Sequence, residues 1–242
     1  FVLVAIGLYV RLKLTEAPIF IAAFNKSKPK ALPMMEVIVT HFKPFFLGML
    51  ICIAGYVLFY IIIAFSQIYA KSAPSQSEAG YAMGLGFSPQ IFTALLMYSA
   101  VSLAISITIS GKCIDKIGRR IWLIWTTVAV AIFGLALPYF LENGTTVSLF
   151  WFLIIGMGLI GMGYGPLSSF LPELFPTHVR YSGASLTYNI AGLFGASVAA
   201  IIALPLNANY GLKGVGIYLT LNAVLSLIGL WFITETRDRQ LL

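Results

Sequence analysis

Few side chains in this 242-residue chain are equipped for bond-making chemistry. The two histidines, His41 and His178, lack the paired spacing of a metal-binding set and stand beside no obvious nucleophile. No catalytic residue, metal or cofactor is therefore expected. GMGLIG at 156–161 matches G-x-G-x-x-G, but a dinucleotide site needs a strand before the glycines and a helix after them. Here the glycines lie inside an apolar run, where small residues serve close helix packing. What remains is hydrogen-bonding chemistry. Ser99, Ser102, Ser106 and Ser110 fall on one helical face, and so do Tyr56, Tyr60 and Gln67, and again Ser185, Asn189, Gly192 and Ala196. Tyr164 and Tyr188 supply further hydroxyls in apolar surroundings. Such groups can hold a polar solute without reacting with it. An amide such as Asn189 is costly in hydrocarbon unless it faces protein or water. The candidate substrate-cavity residues are Tyr56, Tyr60, Ser99, Ser102, Tyr164, Tyr188 and Asn189. Packing against a neighbouring helix is the plainer account of the serine stripe, with lining a wet cavity the alternative.

These residues must be positioned by membrane-spanning helices. Hydrophobic residues make up 60% of the chain and charged residues 10%, with a mean hydropathy of +0.94. Soluble domains carry about 25% charged residues. Six apolar stretches, 45–70, 91–110, 121–140, 148–170, 184–206 and 215–233, are each long enough to cross a bilayer core of about 30 Å. Residues 1–10 are too short for a crossing and read as the end of a further span. Cys52 lies in an apolar span and Cys113 in a charged segment, so no disulfide is expected.

The connecting segments alternate in charge. Lys43 and the basic residues of 11–30 precede the first complete span, Lys112, Lys116, Arg119 and Arg120 follow the second, Arg180 follows the fourth, and Arg237 and Arg239 follow the last. The other connections carry only Lys71 and Lys213. Short loops rich in Lys and Arg stay cytoplasmic, so the 11–44 segment, the 111–120 island, the 171–183 loop and the C-terminal tail are placed in the cytoplasm. The net charge of +7 then reflects insertion rather than nucleic-acid binding. No complete span contains Asp, Glu, Lys, Arg or His, so no intramembrane proton relay is visible.

The island itself, GKCIDKIGRR at 111–120, resembles the G-x-x-x-D-x-x-G-R-R/K loop of the major facilitator superfamily. GLYVRLKLTEAPIF at 7–20 and PELFPTHVRYSGASLTYN at 172–189 are similar to the sixth helix end and the tenth-to-eleventh loop of its metabolite:H⁺ symporter family. Ala17 stands where that family more often has Thr or Ser, and ETRDRQ at 235–240 is closer to sugar porters. The resemblance implies an all-α integral membrane fold. Residues 1–10 would end the sixth helix, 11–44 would link two halves, 45–233 would form the six-helix C-terminal bundle, and 234–242 would be a cytoplasmic tail. An N-terminal six-helix half would complete the protein. Substrate would bind between the halves, with the seventh, eighth, tenth and eleventh helices lining the cavity and the ninth and twelfth facing lipid.

The implied activity is proton-coupled transport of a small polar metabolite, an organic acid or a zwitterion, by alternating access in the inner membrane. The family's carriers take shikimate, α-ketoglutarate, citrate, and proline or betaine. A sugar porter is the alternative within transporters. A polytopic membrane enzyme and a non-transporting sensor are the alternatives outside them. Asp115, Arg119, Arg120, Glu173 and Arg180 share the cytoplasmic side and are expected to form a charge network that closes it. Charge-assisted hydrogen bonds worth about 1.5–3 kcal/mol each could bias such a two-state equilibrium. The basic residues could instead serve only to fix topology.

Overall fold

The computed structural model describes residues 2–13 and 33–235. The remaining parts of the 7–20 motif and of the 11–44 segment, and the tail beyond Glu235, lie outside the described residues. A first helix, α1 (Val2–Lys13), carries exposed apolar side chains. A short helix, α2 (Pro33–Thr40), leads into five helical runs long and apolar enough to cross a membrane. They are α3 (Phe42–Lys71), α4 (Pro89–Ile117), α5 (Arg119–Leu141), α6 (Thr146–Glu173) and the run Arg180–Phe232.

The last run contains 53 residues. At 1.5 Å per residue it would extend about 80 Å, more than two bilayer cores. It breaks at Gly211, whose φ of 67° and ψ of −171° are open to glycine and strained for other residues. The start of the run lies beside the end of α6, and its far end lies against the start of α5. It therefore makes two crossings, α7 (180–210) and α8 (212–232), joined by a single-residue break. The loop expected at 207–214 is helical apart from that residue. The aromatic ring of Tyr81 closes over the break, within 2.6 Å of where a Gly211 Cβ would stand. The chain is a multi-pass membrane protein, with five helical runs among the described residues long and apolar enough to cross and the last of them broken in two at Gly211.

Capping sets two of the helix starts. The Ser88 hydroxyl accepts from the Ile91 N–H at 3.4 Å, with Pro89 at the first helical position, and Thr145 accepts from Ser148 N–H at 3.2 Å. Helix contacts are then set by small residues. In the α4–α6 seam, the Ser102 hydroxyl donates to the Ile154 carbonyl at 2.9 Å, and a Cβ at Gly161 would stand 2.6 Å from the Leu103 carbonyl oxygen. In the α3–α8 seam, Ser226 donates to the Leu50 carbonyl at 2.6 Å and accepts from the Ala54 N–H at 3.1 Å. Thr220 of α8 donates to the Ala131 carbonyl of α5 at 3.0 Å. These bonds satisfy hydroxyls that lipid could not.

The packed interior falls into two clusters. One gathers Val57, Ile61, Phe133, Phe152 and Val215, and the other, toward the basic end, gathers Phe45, Phe170, Phe175 and Leu230. Large apolar side chains such as Trp125, Tyr139, Ile201 and Trp231 are exposed around the outside. On a protein in lipid this is the ordinary outer surface.

Candidate functional site

A cavity of about 490 Å³ opens between α3, α4, α5, α6 and α7, toward the basic end of the bundle. Tyr56, Tyr60, Tyr164 and Tyr188, four of the candidate residues, line it. The Tyr56 and Tyr188 rings lie 5.0 Å apart at a tilt of 46°, side by side on the cavity wall with Tyr164. Gly192 and Gly195 of α7 bring that helix close over Tyr56, since a Cβ at Gly195 would stand 2.7 Å from the Tyr56 Cβ. Both helices widen to π-helical turns nearby, Ile61–Phe65 in α3 and Leu193–Ser197 in α7. Such turns are frequent at functional sites.

The remaining candidates are placed elsewhere. Ser99 is buried and donates to the Leu96 carbonyl at 2.7 Å, and Ser102 is committed to the α6 backbone. The serine stripe packs against the α6 glycines rather than facing this cavity. Asn189 is exposed, off the cavity wall, and its amide donates to the Ser185 carbonyl at 2.8 Å. Two residues absent from the sequence expectation do line the cavity, Thr126 and Thr127 of α5. The helix expected to face only lipid thus contributes a wall. Thr127 donates to the Leu123 carbonyl at 2.7 Å, which leaves its oxygen lone pairs for a ligand. The rest of the lining is aliphatic, apart from Phe59 and Cys52, and no charged side chain belongs to it.

At the basic end, the five charged residues expected to act together divide. Arg119 and Glu173 form an ion pair at 3.1 Å that joins α5 to α6, with both side chains mostly buried. The Arg119 Nε–H is not aligned as a hydrogen bond, so this contact is chiefly Coulombic. Arg120 turns to α8, donating from Nε to the Leu230 carbonyl at 2.8 Å and from Nη2 to the Trp231 carbonyl at 3.0 Å. Arg180 donates to Thr177 Oγ1 at 3.2 Å and braces its own loop. Asp115 is exposed and has no ion pair among the described residues.

The missed member is Glu235. Its carboxylate accepts from the backbone N–H groups of Arg119 and Arg120, both at 3.1 Å, and so caps α5. Gly118 makes room, because a Cβ there would stand 2.8 Å from Glu235 Oε2. The exchange is reciprocal. α8 and its following residues send an acid to the positive N-terminus of α5, and α5 sends Arg120 to the negative C-terminus of α8. Separately, His41 and His178, expected to share no role, come together with Glu36, their ligating atoms all within 4.8 Å of one another.

Comparison with known proteins accords with this architecture. Residues 81–242 match the family described as "Sugar (and other) transporter". The chain belongs to that family, part of the major facilitator superfamily. Its members are transport proteins rather than enzymes. A protein of Haemophilus influenzae provisionally named a metabolite transport protein is 87% identical over 99% of this chain and 54% of its own length. The inner membrane metabolite transport protein YhjE of Escherichia coli is 39% identical over 99% of this chain and 53% of its own. OusA of Dickeya dadantii, a glycine betaine/proline/ectoine/pipecolic acid transporter, is 28% identical over 98% of this chain and 47% of its own. The chain spans about half the length of the curated relatives it matches. No solved structure matches.

Proposed function

We propose that the chain is the C-terminal half of an inner-membrane secondary transporter, with its basic end cytoplasmic, that carries a small zwitterionic metabolite by proton symport. One observation carries the substrate class: four tyrosines and two threonines line a cavity that holds no charged side chain. Aromatic faces attract a quaternary or secondary ammonium, and hydroxyls serve its carboxylate, without the desolvated counter-charge that a polyanion would demand. The names of YhjE and OusA support membrane metabolite transport and, in the second case, zwitterions. Proton coupling rests on the resemblance to the symporter family, since no span supplies an ionisable Asp, Glu or His. Residues 1–10 then end the sixth helix, 11–44 link the halves, 45–233 form the bundle and 234–242 the tail. In this reading Arg119–Glu173 and the Arg120–Glu235 exchange hold the basic end together in one state of the cycle, with Asp115 and Arg180 at its edges.

The test is uptake by the full-length protein in proteoliposomes, with labelled betaine, proline, shikimate, citrate and glucose, with and without an inward proton gradient. Gradient-driven uptake of betaine or proline is expected, with citrate and glucose excluded. Glu173→Gln is expected to insert normally and to change the flux. Uptake of citrate or glucose alone would overturn the substrate class, and gradient-independent uptake would overturn the symport.

A further inference from the structure

We propose that Glu36, His41 and His178 form a binding site for a divalent transition-metal ion of the zinc class, which clips α2 and the start of α3 to the loop between α6 and α7. The three residues come from three different places. Glu36 is on α2. His41 stands at the junction of α2 and α3 with non-helical backbone angles, and its side chain does not cap α3. His178 lies on the α6–α7 loop. Two imidazoles and a carboxylate with their donor atoms within 4.8 Å of one another are a donor set suited to zinc, leaving a fourth position for water.

The Glu36–His178 distance suits an ion as well as it suits a direct ion pair. His178 Nε2 and Glu36 Oε1 are 3.4 Å apart. Charge-assisted N–H···O bonds run about 2.7–2.9 Å, so this contact is long for one. Around a tetrahedral zinc with bonds of about 2.0–2.2 Å, neighbouring donor atoms stand about 3.3–3.6 Å apart. The Glu36–His178 separation already has that value. The His41 and His178 rings, with centroids 6.4 Å apart and an interplanar angle of 63°, can aim one nitrogen each at a common point without stacking. The Glu36 side chain is 9% exposed and that of His178 is 38% exposed, which gives a sheltered carboxylate and an open approach for the ion.

The experiment uses full-length protein purified without a polyhistidine tag and stripped by chelator. Zinc and cobalt(II) are titrated in competition with a chromophoric chelator, and thermal unfolding is followed with and without zinc. One ion per chain is expected, with a zinc-dependent rise in the unfolding temperature. His178→Ala, His41→Ala and Glu36→Gln should each weaken binding at least about tenfold to a hundredfold, the range seen even for residues that merely support ligands. His178→Cys, which keeps a zinc ligand, should retain it. Absence of zinc binding by the wild-type protein, or binding unchanged in the three variants, would overturn the site. His178 is exposed on a loop, so His178→Ala decides the matter alone if another variant lowers the zinc-free unfolding temperature. Binding is read without any flux, so its failure would leave the transport proposal intact, and the reverse.

Discussion

Tyr56 and Tyr188 each offer two things to a ligand, a ring face and a hydroxyl, and substitution can separate them. Tyr188→Phe keeps the ring contact of 5.0 Å with Tyr56 and removes a hydroxyl from a residue that lines the cavity. A hydrogen bond is worth about 0.5–1.5 kcal/mol net, so the apparent KM for the transported zwitterion should rise by about two- to tenfold. Tyr56→Ala removes ring and hydroxyl together and should cost more. Concentration-dependent uptake in proteoliposomes checks both, and an unchanged KM in Tyr188→Phe would show that its hydroxyl does not reach the substrate. The tyrosines were legible in the sequence because a mid-span phenol needs a partner. Thr126 and Thr127 were not, because IWLIWTTVAVAIF reads as a lipid-facing run in which two threonines can bond their own helix. The adjacent pair was the available signal. Glu235 and the Glu36–His41–His178 cluster were hidden for a different reason, since each depends on segments far apart in the chain meeting at one end of the bundle.

Helix α6 uses its glycines in two ways, and the two faces predict opposite results. Gly161 faces α4, where an added Cβ would stand 2.6 Å from the Leu103 carbonyl oxygen and 2.9 Å from the Ser106 Cβ. Neither backbone can retreat without opening the seam, so Gly161→Leu should destabilise the bundle by about 1–3 kcal/mol and lower its unfolding temperature in detergent. Gly163 faces the cavity, where the nearest atom to an added Cβ is Thr126 Cγ2 at 3.8 Å, an ordinary contact. Gly163→Leu should therefore leave thermal stability nearly unchanged while occupying space in the 490 Å³ cavity and suppressing uptake. Retained uptake in that variant would place the substrate elsewhere. The sequence made the glycine-rich stretch readable as a packing surface, but not which glycine faces which neighbour. That depends on the rotation of α6, which α4 and α5 set jointly. The same limit explains the serine stripe, whose face was correctly grouped and whose neighbour turned out to be α6.

For the whole molecule, apolar length sets the order of the long helices, and five of the six apolar stretches stand as separate helical runs or as the first part of the last one. The sixth was expected after a loop and instead follows a one-residue break, because a single glycine with positive φ can redirect a helix that an eight-residue loop was thought to require. Orientation is a different matter, since the fold is compatible with either side of the membrane and only the Lys and Arg distribution selects one. The two cysteines provide the measurement. Cys113 lies in the basic C-terminal part of α4 and is partly exposed, whereas Cys52 is buried in α3 at 2% exposure. With any cysteines elsewhere in the full-length protein replaced, an impermeant maleimide should label Cys113 in inverted vesicles and not in right-side-out cells, and Cys52 in neither. Labelling of Cys113 from outside the cell would reverse the topology. It would then put the Arg119–Glu173 and Arg120–Glu235 contacts on the external face, where they could no longer act as the cytoplasmic closure proposed above.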